Sequence, residues 1–282
     1  AGAVSIPDTL ILRARAFMAG MTGSETATAA YHIYKWRTVG TAGFTTGDGT
    51  GTILRIAGGI PYVACAANGE PEVYQWTGIA WTAVGNTGFY SGYFEKIGFA
   101  VDGTTPYLAF SDDDTGNYGT VMRLSGATWG NAGGTAMTTN YGFYPSLASW
   151  TNGMLVFFTD GDNGSKATVK RWTGAAWANV GSPGFSAGDA IFNTIITVAG
   201  LPYVAYTDQA NGGKATVMRF TGTVWTNVGS AGFTSGGADH VSLAADNSSL
   251  LLAFTDYSQS SKATVMSWNG SIWSLVGSAG FS

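Results

Sequence analysis

The chain has 282 residues, only 11% of them charged, with 13 Lys and Arg against 17 Asp and Glu for a formal net charge of −4. No basic cluster is present, which argues against nucleic acid and against an anionic membrane surface as partners. No apolar stretch approaches the length of a spanning helix, so a soluble chain is expected, and Cys65 stands alone, without a partner for an intrachain disulfide.

The residues begin at Ala1 without a methionine, which points to a processed end, a removed signal peptide or an excised domain. A first apolar run, Thr9 to Leu12, leads into Arg13-Ala14-Arg15-Ala16-Phe17-Met18, and His32-Ile33-Tyr34-Lys35 fills a turn just before Trp36. From there tryptophan keeps time. Trp36, Trp81, Trp129, Trp177, Trp225 and Trp273 are separated first by 45 residues and then four times by 48. All but Trp129 open the phrase W-x-x-V-G-x-x-G-F, as in Trp177-Ala-Asn-Val-Gly-Ser-Pro-Gly-Phe185. The residue closing the phrase is Phe44, Phe89, Met137, Phe185, Phe233 and Phe281, and Tyr31, Trp76, Leu124, Trp172, Phe220 and Trp268 precede each tryptophan by five. A period of this size marks a solenoid or a propeller.

Within a repeat, four short β-branched or aromatic runs are divided by Gly, Asn, Asp and Ser clusters, the strand-and-turn pattern. In the fifth repeat the runs are 195–198, 203–206, 215–218 and 224–228, with turns at 199–202, 208–214 and Thr221-Gly222. Four antiparallel strands in each of six repeats predict an all-β, six-bladed β-propeller forming one domain over residues 1–282. The blades are expected at about 1–44, 45–89, 90–137, 138–185, 186–233 and 234–282. The tryptophans suit either a stacking array for sugars or blade-to-blade packing. Packing is the reading adopted, because six buried indoles at roughly 200 Å² each supply on the order of 30 kcal/mol gross, an upper figure. Gly280-Phe281-Ser282 runs in phase into Ala1-Gly2, which predicts a seam between the first and last blades if the innermost strand opens each unit.

Aspartate recurs at Asp112, Asp160, Asp208 and Asp256, with Ala19 and Ala67 at that step in the first two repeats. Asp160 with Lys166, Asp208 with Lys214 and Asp256 with Lys262 bracket the turn between the second and third strands, where Asp bonds its own backbone. The runs Asp112-Asp113-Asp114 and Asp160-Gly161-Asp162 offer oxygens but not the six to eight that calcium takes, so no metal and no cofactor is expected. Gly184-Phe185-Ser186-Ala187-Gly188 matches G-x-S-x-G, yet it lies in the turn shared by all repeats and no helix follows. His32 and His240, the two histidines, fit no metal spacing, and no catalytic residue is assigned. Asn163, Asn247 and Asn269 begin N-x-S sequons that are equally ordinary turn dipeptides.

Positions that differ between repeats build the surface. One propeller face is expected to carry Tyr90, Tyr93, Phe94, Glu95 and Lys96, then Asn140, Tyr141, Phe143 and Tyr144, then Asp189 and Phe192, then Asp239 and His240. Trp150 falls outside the tryptophan series and is a further surface candidate. Tyr90, Tyr93, Tyr141, Tyr144, Trp150, Asp189 and His240 are therefore the candidate ligand-binding residues, since exposed aromatics beside polar groups suit a saccharide or protein contact.

Leu201-Pro202-Tyr203-Val204-Ala205-Tyr206, Lys214 to Phe220 and Trp225 to Phe233 resemble the repeats of secreted bacterial β-propeller proteins, over nearly the whole chain. The resemblance implies the fold and carries no activity. The Trp-Asp ending of WD40 blades, the paired glycines of kelch and the sialidase S-x-D-x-G-x-T-W box are absent. The charge-poor, Gly/Ser/Thr/Trp-rich composition agrees with an extracellular or cell-surface location. The function expected is a non-enzymatic, lectin-like binding or adhesion module whose partner is a glycan or cell-surface protein. The alternative is a self-associating subunit of an extracellular filament or surface layer, with a glycan-active enzyme third.

Overall fold

In the computed structural model the described residues are 10–14, 20, 22, 27–31, 37–92, 94–134, 136–151, 153–246 and 249–282. The chain divides into two units, Ala1–Gly43 and Phe44–Ser282. The first contains β1 (Leu10–Ala14) and β2 (Ala27–Tyr31), an antiparallel pair with Leu10 opposite Tyr31 and Ala14 opposite Ala27.

The second unit is a β-propeller of five four-stranded antiparallel blades. The second repeat forms β3 (Gly49–Ala57), β4 (Ile60–Ala67), β5 (Glu70–Trp76) and β6 (Trp81–Ala83), and the third forms β7 (Phe94–Asp102), β8 (Thr105–Asp112), β9 (Tyr118–Ser125) and β10 (Thr128–Asn131). In the fourth are β11 (Gly142–Trp150), β12 (Gly153–Asp160), β13 (Lys166–Trp172) and β14 (Trp177–Asn179). The fifth contains β15 (Ala190–Val198), β16 (Leu201–Asp208), β17 (Lys214–Phe220) and β18 (Trp225–Asn227). The sixth contains β19 (Ala238–Ala245), β20 (Leu250–Asp256), β21 (Lys262–Trp268) and β22 (Trp273–Leu275). Each blade takes all four strands from its own repeat, and the first strands β3, β7, β11, β15 and β19 line a shared axial channel.

The expected count of six blades is corrected to five among the described residues, because landmark spacing counts repeats rather than sheets. Five repeats keep a carboxylate at the turn between their second and third strands. Asp208 Oδ2 accepts hydrogen bonds from Thr216 Oγ1 at 2.8 Å and Asn211 Nδ2 at 2.9 Å. Asp256 accepts likewise from Thr264 Oγ1 at 2.9 Å and from the Ser258 amide at 2.9 Å. In the second repeat the aspartate is Ala67, and the acid has crossed the hairpin to Glu72, which stands in the threonine's repeat position. Buried Glu72 accepts from Thr46 Oγ1 and from Tyr74 Oη at 2.8 Å, and burial together with Glu72 pushes the Tyr74 phenol up to about 12. The first repeat has alanine at both steps, Ala19 and Ala27, so the landmarks Tyr31, Trp36 and Phe44 recur there without the acid that fixes the turn. Trp36 itself lies outside the described residues.

Tryptophan fastens neighbouring blades. The indole N–H of Trp129 donates to the Val84 carbonyl at 2.8 Å, that of Trp177 to Ala132 at 2.7 Å, that of Trp225 to Val180 at 2.8 Å and that of Trp273 to Val228 at 2.8 Å. Each carbonyl belongs to the preceding blade, as does the phenylalanine that stacks on the indole. Phe185 lies 4.7 Å from Trp225 and Phe233 4.6 Å from Trp273, nearly parallel, and at the first blade Phe44, which precedes its strands, lies 5.0 Å from Trp81. Satisfying the N–H while burying the ring is what a large indole needs in an interior.

Candidate ligand-binding site

A cleft of about 350 Å³ opens between the blades of the fifth and sixth repeats, at the end of the inner strands where β15 turns into β16. From one blade come Tyr203 at the start of β16, Arg219 near the end of β17 and Asn227 at the end of β18; from the other come Asp246, Trp268 and Asn269. The antiparallel pairing puts Tyr203 directly opposite Arg219, so phenol and guanidinium project from one edge of the sheet. The facing edge is shaped by a turn in which the Ser249 amide donates to Asp246 Oδ1 at 2.8 Å. Asn269 is committed to its own turn, accepting from the amides of Ser271 and Ile272 at 3.0 Å each.

Arginine at this step recurs as Arg123 and Arg171 and asparagine as Asn131 and Asn179. At the junction of the third and fourth repeats, the Arg123 guanidinium lies 5.9 Å from the centre of the Trp172 ring in the next blade, a cation–π geometry. Phe220 holds the place of Trp172 one junction further on, and Trp268 holds it two junctions further on. What opens its cleft is Val198. One repeat earlier that position is Trp150, whose indole N–H donates to the Gly200 carbonyl at 2.7 Å and whose ring meets Phe220 edge-on at 6.4 Å. Valine spans no such distance, and a lined cavity remains. An aromatic face, a planar cation, a phenol and an asparagine amide around one cavity can stack on a sugar ring and hydrogen-bond its hydroxyls.

The residues expected to form one patch are divided among different tasks. Tyr90 donates to Asp112 Oδ1 at 2.6 Å and packs on Phe94 and Phe110, and burial with the Asp112 hydrogen bond raises its pKa. Tyr141 shares a 2.7 Å hydrogen bond with Ser165 Oγ and stacks on Phe143. Exposed Asp189 lies opposite Lys166 in an isolated bridge, and its carbonyl accepts from the Gln209 amide at 3.1 Å. Trp150 is at the other end of the inner strands from these residues. Tyr93 lies outside the described residues.

Tyr144 and His240 do come together, with Lys96 and Phe192, at the opposite mouth of the axial channel, around a chamber of about 430 Å³. Every inner strand has a register shift there, between Thr50 and Ile53, Glu95 and Ile97, Phe143 and Ser146, Ile191 and Thr194, and Asp239 and Ser242. The bulged residues have φ of 49° (Lys96), 51° (Tyr144), 53° (Phe192) and 51° (His240), with Gly51 at 60° in the second repeat. Among the described residues that line this chamber and the middle of the channel there is no carboxyl side chain, while Asp102 stands at the far end beside Ser149 and Thr197; the common route of glycoside hydrolysis places two carboxyl groups across the scissile bond. Sequence reasoning missed Arg219, Asn227 and Trp268, whose recurrence marks them as framework, and the signal that would have found their cleft is Trp150 giving way to Val198.

No protein-family model matches the sequence, and no curated protein matches it. Solved structures do resemble the fold. The lectin SapL1 in complex with α-methyl fucoside superposes with a TM-score of 0.55 at 15% identity, covering 81% of this chain and 80% of that one. A mutant of the Aleuria aurantia lectin in complex with α-methyl-L-fucoside gives 0.52 at 14% identity, over 80% and 77% of the two chains. A thermostable family-43 glycoside hydrolase gives 0.50 at 10% identity, over 83% and 94%. At these identities the likeness establishes a shared β-propeller fold.

Proposed function

We propose that the protein is a non-enzymatic, lectin-like module that binds a neutral saccharide unit in the cleft between the fifth and sixth repeats, and that it works outside the cell. The observation that carries this reading is the cleft itself, with Arg219, Tyr203 and Asn227 on one wall and Trp268 on the other. Two proteins of similar fold are bound to α-methyl fucoside, which makes that compound the first probe.

Titration calorimetry with methyl α-L-fucoside and retention on a panel of immobilised neutral glycans test the proposal. Binding is expected, weakened about tenfold or more in Arg219→Ala and in Trp268→Ala, the size expected when a well-desolvated contact is truncated. Absence of retention across the panel, or binding that neither substitution alters, overturns it.

A further inference from the structure

We propose that the bulged mouth of the axial channel is a second ligand site, one that takes a carboxylate-bearing sugar of the hexuronic acid type. The argument begins with backbone conformation. Four side chains with a Cβ, Lys96, Tyr144, Phe192 and His240, sit at φ between 49° and 53°, in the left-handed region that ordinary residues avoid. They fall on a strict 48-residue step. The second repeat shows that the bulge itself needs no side chain, because its member is Gly51, at φ 60°. Glycine is the cheaper residue at such a position, so four blades retain a side chain against a conformational cost. β-Bulges commonly re-aim a side chain at a site, and these four all line the same chamber.

Their chemistry defines the ligand. Tyr144, Phe192 and His240 form an arc of rings, with centroids 5.1 Å and 4.5 Å apart in succession. Lys96 brings an exposed ammonium to the same rim. Among the described residues lining the chamber there is no carboxylate to neutralise it. Asn193, which follows Phe192 in the wall, donates Nδ2 to Thr159 Oγ1 at 3.1 Å, while its buried Oδ1 has no protein partner. Rings that stack on an apolar face and one cation match a sugar ring that carries a carboxylate. The chamber of about 430 Å³ accommodates one such residue.

The test is titration calorimetry of the whole chain with methyl α-D-glucuronide, methyl α-D-glucoside and benzoate. The glucuronide is expected to bind about tenfold or more tightly than either, since it alone combines charge with the sugar ring. Equal binding of the uncharged glucoside overturns the role of Lys96, and equal binding of benzoate overturns the saccharide assignment. Lys96→Gln should abolish the preference for the charged sugar. Phe192→Gly should weaken glucuronide binding about tenfold or more while leaving the thermal midpoint level or higher, because it relieves the left-handed backbone. Phe192→Gly that melts earlier yet binds glucuronide normally shows the ring to be structural and overturns the site. Arg219→Ala should leave glucuronide binding unchanged, so this site and the inter-blade cleft succeed or fail separately.

Discussion

Two junctions in this propeller share one framework and end in opposite states. Between the fourth and fifth repeats stand Arg171 and Asn179, and between the fifth and sixth stand Arg219 and Asn227. At the first, Trp150 reaches across to the Gly200 carbonyl and meets Phe220. At the second, Val198 takes the place of Trp150, and a cavity of about 350 Å³ lies over Trp268. The repeated residues thus build the same framework at both junctions. Between these two, the closed and the open state differ at one position that the repeat does not specify. Quasi-equivalent blades can in this way lose and gain sites without disturbing the fasteners that hold the ring of strands together.

The largest expected effect removes the indole fastener of one junction, the kind of contact that both share. Trp225→Ala deletes an indole only 8% exposed, its hydrogen bond to Val180 and its stack on Phe185. Urea unfolding should show a loss of about 3–5 kcal/mol. A loss below about 1 kcal/mol, the range of ordinary surface substitutions, would mean that the indole is not what joins these blades. Next in size is Val198→Trp, which puts the closing residue of one junction into the other. It should abolish retention on neutral glycans and leave the unfolding midpoint nearly unchanged. Retained binding would place the sugar elsewhere.

The fold was legible because its strongest constraint repeats. Each of Trp129, Trp177, Trp225 and Trp273 meets a carbonyl in the preceding blade, 45 residues back, and a contact that recurs at fixed separation leaves a fixed sequence period. The blade count was less legible, because Tyr31, Trp36 and Phe44 repeat the landmarks at a step of 45, whereas the described residues of the first repeat form the two-stranded pair β1 and β2. Repetition also hid the cleft: Arg219 and Asn227 match their counterparts in other repeats and so read as scaffold. Trp150 stands out in the sequence as the odd tryptophan, and in the structure it donates to the Gly200 carbonyl and meets Phe220 edge-on. Lys96, Tyr144, Phe192 and His240 escaped notice as a set for the converse reason. They share a backbone conformation and a step of 48 but no residue type, and no motif of side chains records a common φ.

Smaller effects separate the space in a junction from its chemistry. Trp150→Val opens the closed junction, where Leu155 stands in for Tyr203 and Val198 for Asp246. Losing a half-buried indole should cost about 1–2 kcal/mol. The new cavity is apolar at those positions, so calorimetry should still find one neutral-sugar site per chain, and a second would show that space alone suffices. The finest test is Arg219→Lys. Charge is kept, but the planar fork that lies over an aromatic ring and donates in two parallel directions is lost. Sugar affinity should fall about three- to fivefold, less than the loss in Arg219→Ala, because an ammonium still donates but offers no planar pair of donors. If lysine binds as well as arginine, only charge at that wall matters, and the pairing of Arg123 with Trp172 two junctions away reflects packing rather than the geometry of a binding site.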